Sequence, residues 1–88
     1  MENKYNLKEK SLEIYQDFIS AFKNFDEQGF GYNGVEYCID YENGKICIYE
    51  DKENGHKWFF DTPEDFFENF ILDGKPIIER LEELTDYD

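Results

Sequence analysis

The chain has 88 residues, enough for one domain around one modest core. Its formal net charge of −13 at pH 7 exceeds what solubility requires and argues against direct binding to nucleic acid or to an anionic membrane surface. Disorder is the usual state of so acidic a chain, but 17 aromatic residues (9 Phe, 7 Tyr and 1 Trp) at regular spacings argue for a packed core instead.

The first expected element is a helix over about residues 7–25. In SLEIYQDFISAFKNF, Leu12, Tyr15, Phe18, Ile19, Phe22 and Phe25 recur at three- and four-residue steps and form one apolar stripe. Gly29, Gly31 and Gly34 then end the helical pattern. Two turn signals follow, ENGK at 42–45 and ENGH at 53–56. Each sets Asn-Gly between alternating apolar runs, the pattern of a two-residue type I′ hairpin. They predict a three-stranded antiparallel meander over 35–61, with strands at about 35–42, 45–53 and 56–61.

If both turns have two residues, the register follows by counting. The inner face then carries Val35, Tyr37, Ile39, Tyr41, Ile46, Ile48 and Phe59. The outer face carries Glu36, Cys38, Asp40, Glu42, Cys47, Tyr49, Asp51, Trp58 and Phe60. A bulge in the third strand would exchange Phe59 with Trp58 and Phe60.

In DTPEDFFENFIL, Thr62 is placed to cap a helix, Pro63 suits its first position, and Glu64 and Asp65 complement its dipole. Helices are expected over about 63–72 and, after Gly74 and Pro76, over about 76–85, with Ile77, Ile78, Leu81 and Leu84 inward. The predicted fold is therefore α+β, a single small domain of order α-β-β-β-α-α, its meander covered on one face by helices.

Catalytic constellations are missing from the pattern. His56 is the single histidine and falls at a turn tip, several strand residues from Cys38 and Cys47. The two cysteines lack the further ligands a zinc site needs and read as small buried hydrophobes in a reducing compartment. DKENG lacks the alternating ligands of a calcium loop, and GFGYNG lacks the lysine and strand–helix setting of a phosphate loop. The expectation is a protein without catalytic residues, metal or cofactor. Glu2 and Lys4 open a polar start with no hydrophobic span, consistent with a cytoplasmic location.

The acids themselves are unevenly spread. Residues 61–88 carry ten acids against two bases, a local charge of −8. In the counted register Glu36 lies opposite Asp51, a like-charged pair that weakens a sheet. On the terminal helices Glu64, Asp65, Glu68, Glu79, Glu82 and Glu83 have almost no bases among them. Such surfaces suit a basic protein partner, whose approach they accelerate. The partner-binding residues expected are Glu36, Asp40, Asp51, Glu64, Asp65 and Glu68, with Tyr49 and Trp58 as aromatic anchors.

A small acidic domain with this element order, and with the acids of YEDKE and DTPEDFFENF, resembles phage and mobile-element inhibitors of the anti-CRISPR and DNA-mimic kind. The abundance of Phe, Tyr, Asn, Lys and Ile, all with AT-rich codons, fits such an origin. The resemblance implies an inhibitor whose carboxylates stand in for phosphates in a nucleic-acid groove, as in anti-restriction proteins. The alternative readings are an immunity protein or antitoxin that neutralises a toxin, and a structural or regulatory module that uses the outer face for assembly.

Overall fold

The computed structural model describes residues 5–85. Helix α1 spans Glu9–Asn24 and buries Ile14, Tyr15, Phe18, Ala21 and Phe22. Four strands follow, β1 (Gly29–Tyr32), β2 (Val35–Glu42), β3 (Lys45–Glu50) and β4 (Lys57–Phe60). They form one antiparallel sheet in the order β1-β2-β3-β4. Helix α2 spans Pro63–Asn69, and a two-residue-per-strand hairpin, β5 (Ile71–Leu72) and β6 (Lys75–Pro76), leads into 3-10 turns at Ile77–Glu79 and Leu81–Glu83.

The α+β class and the helical cover on one face agree with the sequence, but the order has changed. The expected three strands are four, because Tyr32-Asn33-Gly34-Val35 is itself a hairpin turn that pairs GFGY with β2. Asn33 (φ 50°) and Gly34 (φ 82°) both take the left-handed conformation that a type I′ turn demands. Asn43 and Gly44 do the same between β2 and β3, where the counted register holds from Tyr37↔Glu50 to Glu42↔Lys45.

The second counted turn does not form. The β3–β4 pairs are Ile46↔Phe60, Cys47↔Phe59, Ile48↔Trp58 and Tyr49↔Lys57, three positions away from a two-residue turn at Asn54-Gly55. An odd displacement exchanges the faces of a strand. Trp58 and Phe60 therefore turn inward and Phe59 outward, the reverse of the counted assignment. The exchange has a packing cause. Trp58 meets Phe70 and Tyr37 at ring distances of 5.1 and 6.0 Å, and Phe60 meets Phe66 and Phe70 at 5.8 and 6.0 Å. A single inward Phe59 would leave that aromatic layer without two of its rings.

The helices expected over 63–72 and 76–85 are also corrected. Helix α2 begins as read, with Thr62 Oγ1 accepting from the Asp65 N–H at 3.0 Å and Pro63 at the first turn, but it stops at Asn69. Asp73 (φ 51°) and Gly74 (φ 86°) then make a third left-handed pair and turn the chain back as a hairpin. Beyond it Ile77, Leu81 and Leu84 are buried and Ile78 is half-buried, as the spacing implied. The backbone bonds nevertheless run three residues back, Arg80 to Ile77, Glu83 to Arg80 and Leu84 to Leu81. A 3-10 path rises more per residue than an α-helix. It carries the chain to Thr85, which bridges the outer edge of β1 at Gly31.

The core lies between the inner sheet face and α1, α2 and the 3-10 turns. Phe66 is its hub, with rings of Phe18, Phe22, Phe30, Phe60, Phe67 and Phe70 within 6.4 Å. No helix among the described residues is long and apolar enough to cross a membrane.

Candidate functional site

Among the described residues, no helix covers the outer face of the sheet. Its side chains can be laid out in rows from the registers. One row holds Gly31, Glu36 and Asp51, and the next holds Gly29, Cys38, Tyr49 and Lys57. Asp40, Cys47 and Phe59 form a third, and Glu42 and Lys45 continue toward Asp61. Glycine occupies both outward positions of β1, Gly29 half-buried and Gly31 buried. Gly31 has a specific reason, since a Cβ there would stand 2.6 Å from Thr85 Oγ1.

The centre of this face is apolar. Cys47 is fully buried between its neighbours, while Phe59 is 49% exposed and Tyr49 and Cys38 are half-buried. Burial first and Glu42 second push the Cys47 thiol above its usual range, so it is held protonated. The neighbouring Cys38 thiol, then burial, raise the Tyr49 phenol, and Asp40 and Asp51 add to this. The reading of Cys47 as a small buried hydrophobe fits its environment. Cys38 is less buried and lies opposite Tyr49 across the strands.

The rim is charged and mostly acidic. Lys57 Nζ reaches Glu42 Oε2 at 3.2 Å and Lys45 Nζ reaches Asp61 Oδ1 at 2.7 Å, each helping to keep its lysine protonated. Asp40 Oδ1 accepts from the Tyr41 backbone N–H at 2.8 Å. Glu36 and Asp51 are exposed and have no ion-pair partner among the described residues. The Asp51 N–H donates to the Glu36 carbonyl at 2.9 Å, so the two residues are neighbours across the strands, as counted.

The eight expected binding residues fall into three groups. Glu36, Asp40, Tyr49 and Asp51 share the outer sheet face. Trp58 lies on the inner face, packed against Phe70, and Phe59 occupies the outward aromatic position instead. Glu64, Asp65 and Glu68 belong to α2, where two of them serve the fold. Asp65 accepts from the Asp61 backbone N–H at 3.1 Å and from Asn69 Nδ2 at 2.7 Å. Glu68 accepts from the Tyr5 hydroxyl at 2.7 Å and, after burial, contributes to pushing that phenol upward. Of the remaining acids read as helical, Glu82 accepts from Ser11 Oγ at 2.8 Å and Glu83 pairs with Arg80 at 3.1 Å.

Phe59, the two outward glycines of β1 and Lys57 were not among the expected residues. The signal for Phe59 was the parity of β4, which only the aromatic layer on the other face fixes. His56 acts locally, since its backbone N–H and Nδ1 both meet Glu50 Oε1, at 2.8 and 3.1 Å. These contacts hold the Glu50 carboxyl below its usual range. No group of three or more His, Cys, Asp or Glu among the described residues is placed to hold a metal ion.

No family model, curated protein or solved structure matches the chain. The open face carries Tyr49 on β3 and Phe59 on the edge strand β4, with the exposed carboxylates of Glu36 and Asp51 at one end. Its chemistry suits recognition of a cationic surface.

Proposed function

We propose that this is a non-catalytic binding protein whose open sheet face engages a basic surface of another protein. The partner surface is one built for nucleic acid, and the carboxylates take the place of phosphates. In this reading it acts as an inhibitor of the anti-CRISPR or anti-restriction kind. The observation that carries the proposal is the Glu36–Asp51 row. Two like charges stand opposite each other without an ion-pair partner among the described residues, about 13 Å along the strands from the row of exposed Phe59. Such a pair costs a sheet up to about 1 kcal/mol, which a cationic partner would return on binding. The aromatic centre gives the contact a desolvated anchor, and the carboxylates give it speed and orientation.

The test is capture of partners from a lysate of a low-GC bacterium by the tagged protein, with Glu36→Lys/Asp51→Lys in parallel. This double variant keeps a like-charged cross-strand pair while inverting its sign, so folding is little altered. We expect the wild type to retain a basic nucleic-acid-binding protein that is released by salt or by duplex DNA, and the variant to lose it. Equal capture by the folded variant, or a partner indifferent to salt, would overturn the reading.

A further inference from the structure

The fold treats the two edges of its sheet differently. Thr85 closes the outer edge of β1, exchanging both backbone hydrogen bonds with Gly31. Strand β4 has β3 on one side and no strand on the other among the described residues. The bonding alternation says what this open edge presents. The Glu50 N–H donates to the His56 carbonyl at 3.0 Å, so the bonded pairs of this ladder are Glu50/His56, Ile48/Trp58 and Ile46/Phe60. Trp58 and Phe60 turn their backbone groups toward β3. Lys57 and Phe59 turn theirs away from the sheet, as a row of donors and acceptors without a neighbouring strand.

The side chains of that edge are complementary to themselves. Lys57-Trp58-Phe59-Phe60-Asp61, laid antiparallel against a second copy about a twofold axis at Phe59, sets phenylalanine against phenylalanine at the centre. On the outer face it opposes Lys57 to the second copy's Asp61, twice by symmetry. On the inner side it opposes Trp58 to the second copy's Phe60. The Glu42–Lys45–Asp61 row would continue into the second copy's Lys57 with alternating sign. Both existing ion pairs of these residues involve exposed side chains, so each charge can be shared at little cost.

We infer that β4 is a self-association edge: two copies join β4 to β4 with Phe59 on the twofold axis, merging two four-stranded sheets into one. A contact of four or five residues per side is small, so the association is weak and concentration-dependent. The inference does not depend on a basic partner, since it uses the edge of the sheet and not the Glu36–Asp51 end of its face.

The experiment is sedimentation equilibrium on the whole protein and on Lys57→Glu and Asp61→Lys, alone and mixed. Each single variant opposes like charges at both symmetry-related positions and should self-associate about tenfold or more weakly than the wild type. Mixing the two variants opposes unlike charges again, and association between them should return at least to the wild-type level. Loss of the Lys45–Asp61 or Lys57–Glu42 pair within one chain cannot produce that recovery. A wild type that stays monomeric up to its solubility limit would overturn the inference. So would variants that associate as the wild type does, or that fail to recover on mixing. Salt separates the two proposals: screening the −13 charge of each copy should strengthen self-association, whereas capture of a basic partner should weaken.

Discussion

Phe25 ends α1 in the left-handed conformation (φ 53°), a region that bulky side chains rarely occupy. The end is stabilised from two sides. The Asp26 N–H reaches the Ala21 carbonyl at 2.9 Å and the Phe25 N–H reaches Phe22 at 3.4 Å, a Schellman arrangement. Tyr41, arriving from β2, donates its hydroxyl to the carbonyls of Asp26 and Ala21 at 2.9 and 3.3 Å, and its ring meets Phe25 edge-on. Tyr41→Phe should therefore lower stability by about 1 kcal/mol in urea titrations near neutral pH. Burial, then Asp26, pushes the Tyr41 phenol up to about 12. A pKa raised on folding gives stability that is intact below the unfolded value of 10.0 and is lost as pH rises toward 12. Between those values the wild type should lose stability more steeply than Tyr41→Phe.

Among the elements, the loop between β3 and β4 departs most from what its residues imply. Asn54 is left-handed (φ 60°), but Gly55 is not among the residues with positive φ, so the pair does not make the type I′ turn that Asn33-Gly34, Asn43-Gly44 and Asp73-Gly74 make. Gly55 is required here for space: a Cβ would stand 2.6 Å from the Glu50 carbonyl oxygen and 2.8 Å from its Cβ. Gly55→Ala should cost about 1–3 kcal/mol, read as a lower urea midpoint, because the clash is with backbone that the β3 ladder holds in place. The Glu50 carboxylate ties the same loop to His56, and its pKa is lowered by those bonds. That support is present above pH 4.5 and is lost as pH falls below it, so the loop should open first in acid. Amide exchange at His56, followed as pH is lowered, would show it.

At the scale of the whole molecule, an aromatic core works against a strong electrostatic repulsion. The described residues hold few cations, and Lys45, Lys57 and Arg80 each already face a carboxylate. The net charge of −13 therefore acts largely as self-repulsion of the compact state. Raising sodium chloride from low to physiological ionic strength should raise the melting temperature, since the screening length shortens from about 30 Å to about 8 Å. A melting temperature that falls with salt would mean that the few surface ion pairs outweigh the repulsion.

The sequence determined what depends on near neighbours along the chain. The stripe of α1 up to Phe22, the Thr62-Pro63 start of α2, the β2–β3 register and the inward set Ile77, Ile78, Leu81 and Leu84 all follow from spacing and turn chemistry and are found, whereas Phe25, expected in the stripe, caps the helix and is exposed. A third Asn-Gly pair, at 33–34, carried the same signal as the other two and would have supplied β1. What tertiary structure decided is where local preference was close to balanced. Asn54-Gly55 can turn a hairpin in two residues, yet Phe70 and Phe66 offer packing to Trp58 and Phe60 together, and two rings packed on the core outweigh one favourable turn. That exchange places Phe59 on the open face, and with it the candidate site and the self-complementary edge. The last segment shows the same balance, since its spacing fits a helix but the chain must reach Gly31 to close β1. A side chain's face in a strand is a two-way choice, and only the layer it packs against makes it.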